Sequence, residues 1–339
     1  RIQAAIDESG YVFPKKRVII SLAPSDKKKS GSHFDLAMAV GVLCQNGDIG
    51  VKKLPDYGFI GELSLDGRLR ACRGILPMII AGQKRGIKKI IVPEANFKEA
   101  SLVHGVEILG FYDLTGVIRY LEGKTTGIET HMEENEKILE ESERILDFKD
   151  VKGQDELIEA VVLAAAGGHN MLMVGEPGCG KTMIAQRIPT ILPEMTEEEC
   201  LEVTKIYSIS GLLPNEHALM KYRPFRAPHH TASAVALVGG GSKARPGEIS
   251  LAHDGVLFLD ELPEFERRVL DALREPIESG KIHISRTRAK IDYPAHFQLI
   301  AAMNPSPTGH YRGHHNRASP EQTLRYLSRL SGPFLDRFD

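Results

Sequence analysis

Apolar residues in the second half of this chain fall into short unbroken runs, and each run stops at a glycine or a polar residue. Met171-Leu172-Met173-Val174, Gly255-Val256-Leu257-Phe258-Leu259 and Phe297-Gln298-Leu299-Ile300-Ala301-Ala302-Met303 are the clearest. A run without alternation is what a strand shows when helices cover both faces of a parallel sheet. The apolar stretch from Leu157 to Val174 is broken by Glu159 and by Gly167-Gly168-His169-Asn170, so it reads as a helix followed by a strand and not as a membrane span. Residues 1–123 are patterned differently. Arg17–Ala23 reads as a strand, and Phe34–Cys44 carries an apolar face at helical spacing. Tyr57–Arg73 reads as a hairpin turning at Asp66-Gly67. Lys88–Pro93 gives another strand and Asp113–Leu121 a helix. The pattern predicts an α/β chain of two domains, an α+β one over 1–123 and a parallel-sheet one over 150–339. An acidic linker over 124–149, rich in glutamate from Glu129 to Glu143, joins them.

The residues that end the apolar runs carry chemistry. Val174 is followed by Gly175-Glu176-Pro177-Gly178-Cys179-Gly180-Lys181-Thr182, a complete G-x-x-x-x-G-K-T phosphate loop, and Thr182–Arg187 then begins a helix. Backbone N–H groups at such a strand-to-helix turn hold phosphates. Lys181 is expected to reach the β and γ phosphates of ATP and Thr182 to hold Mg²⁺. The run ending at Leu259 delivers Asp260 and Glu261, at the carboxyl end of a strand where ligands of open α/β sheets sit. Asp260 is expected to hold Mg²⁺ indirectly, and Glu261 to polarise the water that attacks the γ phosphate. Asn304 follows the third run and is the candidate sensor of that phosphate.

This order, closing on Leu335-Asp336-Arg337-Phe338-Asp339, resembles the AAA+ ATPases. The lead-in Pro246-Gly247-Glu248-Ile249-Ser250-Leu251-Ala252-His253 resembles their magnesium-chelatase-like branch. The resemblance implies that Arg337 acts in trans as a finger on a neighbouring subunit's nucleotide. It also implies two additions to the ATPase core, a helix-two insert over Leu201–Pro246 and a pre-sensor hairpin over Gly280–Tyr293. Arg286, Arg288 and Lys290 alternate in that hairpin and are the candidate DNA contacts, as one cationic ridge; a solvated hairpin is the other reading of the same charges. The small helical lid that completes such a module is expected to lie outside this chain.

Over 1–123, Gly61–Arg68 and Ile90–Glu94 resemble the proteolytic domain of Lon-type proteases. Set on that family's pattern, His33 stands where the nucleophilic serine belongs and Leu76 where the general-base lysine belongs. A serine nucleophile needs an adjacent base, so peptidase activity is not expected and the domain reads as a degenerate relative. The two domains in this order resemble the ComM/YifB-type competence-associated family of bacteria. That resemblance implies a homo-hexameric, ATP-driven motor that moves branched DNA during recombination of transforming DNA, a helicase-like activity. A chelatase-type remodeller of a protein partner and a non-enzymatic Lon-like scaffold are the alternatives.

Composition narrows the setting. Of the 339 residues, 43 are Lys or Arg and 45 Asp or Glu, a net charge of −2, so any attraction to DNA has to come from local patches. Four widely spaced cysteines, Cys44, Cys72, Cys179 and Cys200, form no C-x-x-C pair and fit a reducing, cytoplasmic compartment with no membrane association. His310, His314 and His315 suggest a metal loop, but Ser306 and Thr308 occupy the places where relatives carry Cys-Pro-Cys. A polar loop is therefore expected there, and zinc is not.

Overall fold

The computed structural model describes residues 1–23, 29, 31–125, 146–213, 219–241, 244–311 without 287 and 288, and 318–339, with the backbone alone at 51–53, 286 and 289. The chain divides into two compact units, Arg1–Glu134 with Tyr207–Leu219, and Asn135–Ile206 with Met220–Asp339. Most of the expected linker, 126–145, lies outside the described residues.

The first unit is built on helices α1 (Ile2–Glu8) and α2 (Asp35–Asn46), strand β1 (Tyr57–Phe59), the pair β2 (Glu62–Leu63) and β3 (Leu69–Arg70), α3 (Ile75–Lys84), β4 (Lys89–Pro93), α4 (Phe97–Ala100), β5 (Glu107–Phe111) and α5 (Leu114–Leu121). Strands β1, β4 and β5 form a parallel sheet in that order. The expected hairpin is thus shorter than Tyr57–Arg73. Its turn is where the Asp-Gly signal puts it, with Gly67 at φ 81°, but Tyr57–Phe59 leaves it to pair with β4, because three half-buried residues gain more against the buried Ile90 and Ile91 than along a two-residue ribbon. Leu36, Leu43, Leu63, Leu114 and Ile118 close the core below it. Arg17–Ala23 corrects the sequence reading. It is exposed throughout, Ile19 by 77%, and joins no sheet among the described residues, since a strand without a paired neighbour has nowhere to place its backbone donors.

The second unit continues with α6 (Asp155–Gly167), β6 (Met171–Val174), α7 (Lys181–Arg187), α8 (Glu197–Ser210, its last turn in the first unit), β7 (Phe225–Arg226), α9 (Ala234–Val238), β8 (Gly239–Gly240), β9 (Arg245–Pro246), α10 (Glu248–Leu251), β10 (Val256–Leu259), α11 (Arg267–Ser279), β11 (Lys281–Arg286), β12 (Ala289–Pro294), β13 (Gln298–Met303), α12 (Pro320–Leu327) and α13 (Gly332–Leu335). Four strands form one all-parallel sheet, ordered β6-β13-β10-β7. Every residue of β10 and β13 is buried, as unbroken apolar runs require. Phe225 and Phe258 stack with centroids 5.9 Å apart, and Val161, Met173, Ile184 and Ile300 complete the core. The strand order puts the Asn304 strand between the phosphate-loop strand and the Asp-Glu strand, so three carboxyl ends that are far apart in sequence become neighbours.

A candidate nucleotide site at the carboxyl ends of three strands

The phosphate loop leaves β6 at Gly175. A Cβ there would lie 2.8 Å from the Cys179 sulfur, and Gly178 and Gly180 take φ of 79° and 92°, so the loop closes only with glycine at these positions. Gly180 caps α7. The Lys181 ammonium folds back over the loop, donating to the carbonyls of Gly175 at 2.6 Å and Glu176 at 3.0 Å, and to Oδ1 of Asn304 at 3.3 Å. The Thr182 hydroxyl donates to Oδ2 of Asp260 at 2.7 Å. The other oxygen of Asp260, Oδ1, accepts the Glu261 N–H at 2.9 Å. Glu261 itself has φ 52°, a left-handed conformation that costs a non-glycine residue on the order of 1 kcal/mol and clusters at functional sites.

These contacts bring Lys181, Thr182, Asp260, Glu261 and Asn304 to one place, with Gly175, Glu176, Pro177, Gly178, Cys179 and Gly180 as the cradle. An oxygen pair such as Thr182 and Asp260 suits a hard divalent cation. Thr182, Asp260 and Glu261 also line a cleft of about 280 Å³ with Gln186, His229 and His230.

Sequence reasoning did not assign the residues that surround this cluster. Gln154, at φ 57° before α6, donates from Nε2 to the Cys179 carbonyl at 3.0 Å. The segment after Asn304 lies across the loop. Tyr311 donates its N–H to the Glu176 carboxylate at 3.2 Å, and His310 Nδ1 is 3.4 Å from the same carboxylate. Gly309, at φ 88°, lies so close that a Cβ would stand 2.8 Å from Pro177. His314 and His315 fall outside the described residues, while Ser306 donates to the His310 carbonyl at 2.8 Å and lies 3.1 Å from the Thr308 hydroxyl. His230 Nδ1 is 3.2 Å from Glu261 Oε2. The sequence signal for these residues is their position: Gln154 at the lead-in before α6, Gly309 to Tyr311 after the sensor strand, and His230 after the strand flanking the acidic one.

Arg337 lies elsewhere. Its carbonyl accepts from Asn170 Nδ2 at 2.9 Å and its guanidinium pairs with Glu278 of α11. Asn170 precedes β6, so Arg337 stands at the amino end of the strand whose carboxyl end carries the phosphate loop. It cannot serve the loop of its own chain.

The hairpin β11–β12 corrects one expectation. Its register pairs Arg286 with Ala289 and Lys290 with Ser285. Side-chain alternation then sets positions 286 and 290 on opposite faces: 290 with the exposed His283 and Asp292, and 286 with the buried Ile282, Ile284 and Tyr293. Positions 286 and 290 therefore do not share a strand face, since Arg286 pairs with Ala289 across the hairpin. Arg288, and the side chain of Arg286, lie outside the described residues.

One more cluster invites a metal assignment. Glu202, His253 and Asp254 place ligand atoms within 4.8 Å of one another. The His296 N–H, however, donates to His253 Nδ1 at 3.1 Å, so a neutral imidazole keeps its proton on Nε2, which faces Asp254 at 3.2 Å and Glu202 at 3.4 Å. The trio is a hydrogen-bonded charge cluster around a carboxyl, Asp254, that burial pushes above its ordinary pKa.

In the first unit, His33 and Leu76 are both held by packing. His33 lies against Phe34 with ring centroids 4.3 Å apart, and burial lowers its pKa. Leu76 is fully buried. All four cysteines are free thiols. Among the described residues, no helix is long and apolar enough to cross a membrane.

Known proteins resemble this chain along its whole length. Residues 147–339 match the family model described as magnesium chelatase, subunit ChlI, and residues 1–96 match a model described as subunit ChlI of Mg-chelatase. The whole chain is 53% identical to the protein YifB of Escherichia coli (strain K12) and 49% identical to the competence protein ComM of Haemophilus influenzae, and it spans 66% of the length of each. A magnesium-chelatase 38 kDa subunit of Rhodobacter capsulatus is 26% identical over 48% of this chain and 51% of its own.

Proposed function

We propose that this chain, which belongs to the magnesium chelatase ChlI family in its ComM/YifB-type branch, is the ATP-hydrolysing part of a ring-forming AAA+ motor that acts on DNA. The observation that carries the ATPase reading is the convergence of Lys181, Thr182, Asp260 and Asn304 on neighbouring strand ends. When bound, ATP would seat its phosphates on the loop, and Mg²⁺, held through Thr182 and Asp260, would neutralise their charge. The chain's own residues do the rest. Loop N–H groups and Lys181 grip the phosphates, Thr182 and Asp260 offer oxygen to the cation, Glu261 takes the proton of the attacking water, and Asn304 ties Lys181 to the sensor strand.

The DNA part of the reading rests on two supports. One is the full-length likeness of this chain to a protein named for competence. The other is a hairpin with an exposed lysine, Lys290, directly before the Asn304 strand. The activity is read as branch migration or unwinding during recombination of transforming DNA, in a hexamer in the bacterial cytoplasm, with the first unit as a degenerate Lon-like domain. Residues over Leu201–Pro246 and the β11–β12 hairpin are read as the helix-two insert and the pre-sensor hairpin of the branch. A second reading, remodelling of a protein partner, is favoured by the mixed exposed face of that hairpin, where His283 lies 2.7 Å from Asp292. ATP hydrolysis by the full-length protein, measured with and without branched and single-stranded DNA, separates the two. Stimulation supports the motor, and hydrolysis indifferent to every DNA turns the assignment to the protein partner.

A further inference from the structure

We propose that the segment Ser306–Tyr311 is a strap that holds the Glu176 carboxylate off the phosphates, and that this contact slows the release of nucleotide. The inference rests on the ATPase reading above and adds to it a pairing, Glu176 with His310 and Tyr311, that no motif assigns. Glu176 is the acidic member of the phosphate loop. A carboxylate in a seat for a polyanion is a liability, since like charges a few ångströms apart repel. Here the carboxylate is met by the strap instead. The Tyr311 N–H donates to Oε1 at 3.2 Å, and His310 Nδ1 lies 3.4 Å from Oε2, so both oxygens are engaged.

The strap is a closed turn. The hydroxyl of Ser306, a residue only 2% exposed, donates to the His310 carbonyl at 2.8 Å, and the Gly309 N–H donates to the Ser306 carbonyl at 3.0 Å. Gly309, at φ 88°, comes so near the loop that a Cβ would stand 2.8 Å from Pro177. The Tyr311 hydroxyl donates to the Val174 carbonyl at 3.3 Å, on the strand that feeds the loop. Val174, Glu176 and Pro177 are thus gripped by one turn that begins two residues after the sensor Asn304. Each contact is partly exposed and worth little alone. Together they fix which way the Glu176 side chain leaves the loop, and that direction decides whether its charge opposes the phosphates. Such a difference shows chiefly in dissociation.

The test uses the full-length protein and the rate at which a fluorescent ADP analogue, mant-ADP, leaves it in the presence of Mg²⁺, read by stopped flow against excess unlabelled ADP. His310→Ala is expected to speed release about fivefold at low salt, and by less than about twofold near about 0.5 M salt, where the freed charge is screened. Gly309→Ala, whose Cβ displaces the strap from Pro177, is expected to shift release in the same direction. In a Glu176→Gln background His310→Ala is expected to change release by less than about twofold, because the amide has no charge to set free and coupled residues are not additive. A turn that served only the local fold would give a defect indifferent to salt and to Glu176→Gln. Unchanged release in both His310→Ala and Gly309→Ala, or a defect that persists at high salt or in Glu176→Gln, overturns the strap while leaving the ATPase reading intact. Wild-type protein that takes up no mant-ADP overturns both.

Discussion

Thr182 and Asp260, 78 residues apart in sequence, share a hydrogen bond of 2.7 Å from hydroxyl to carboxylate. The bond links the first turn of the helix after the phosphate loop to the end of the acidic strand, so the two halves of a cation site are registered before any cation arrives. The register between them is set by β13 lying between β6 and β10.

Three substitutions separate the roles at this site. Lys181→Ala is expected to abolish nucleotide binding, because it removes the ammonium that faces the phosphates. Glu261→Gln is expected to leave ATP bound but hydrolysed at least about a hundredfold more slowly, the usual worth of a positioned base. Asp260→Asn keeps an oxygen for Thr182 and is expected to raise the Mg²⁺ concentration needed for half-maximal hydrolysis. Nucleotide titration and single-turnover hydrolysis distinguish the three; equal loss of ATP affinity in Lys181→Ala and Glu261→Gln contradicts the assignment.

Arg337 and Glu278 make a second test possible. If Arg337 is a finger for a neighbouring subunit, Arg337→Ala binds ATP normally and hydrolyses it poorly, while Glu278→Ala, which breaks the same ion pair from the other side, keeps its turnover. Mixing Arg337→Ala with Lys181→Ala subunits restores part of the rate at interfaces joining an intact loop to an intact arginine. Equal loss in Arg337→Ala and Glu278→Ala assigns the arginine to its ion pair.

The hairpin register changes what is expected of the basic residues. Lys290, on the exposed face, is expected to carry DNA affinity, and Lys290→Ala to lower the slope of log affinity against log salt by about one. Arg286, at a position on the buried-side face, is expected to contribute less. Fluorescence anisotropy at several salt concentrations reads both; a larger effect from Arg286→Ala than from Lys290→Ala refutes the ordering.

Glu99 gives a pH dependence. Burial raises its carboxyl pKa, against hydrogen bonds from Ser208, Asn96 and the Leu76 N–H that lower it. A raised folded pKa means that the folded state holds the proton more tightly than the unfolded one. The stability this contributes is complete below the unfolded value of about 4.3 and is lost as pH rises through the folded one. Urea unfolding of wild type and Glu99→Gln from pH 4 to 7 should show the wild type's relative stability falling as pH rises. A difference independent of pH excludes the effect.

Much of the nucleotide site is legible in the sequence, because phosphate chemistry constrains both residue type and spacing. Gly175 to Thr182, Asp260, Glu261 and Asn304 are each announced by a buried apolar run that ends where they begin. His230 and Tyr311 are not announced by anything local: strand order brings them near the site, and strand order is a property of the sheet. The placement of positions 286 and 290 on one strand face is lost for a similar reason, since an every-other-residue pattern says nothing of where one strand ends and its partner begins. Arg17–Ala23 fails because an apolar run specifies a strand only when an edge is there to receive it.

The lysine of the phosphate loop already has companions: the carbonyls of Gly175 and Glu176 and the amide oxygen of Asn304. Seating a phosphate on it is consequently a barter of partners, and the observed affinity measures only the difference between two sets of bonds. Loosening the resident set, for instance by Asn304→Ala, would then make the nucleotide bind more tightly, at the expense of the link between Lys181 and the end of β13.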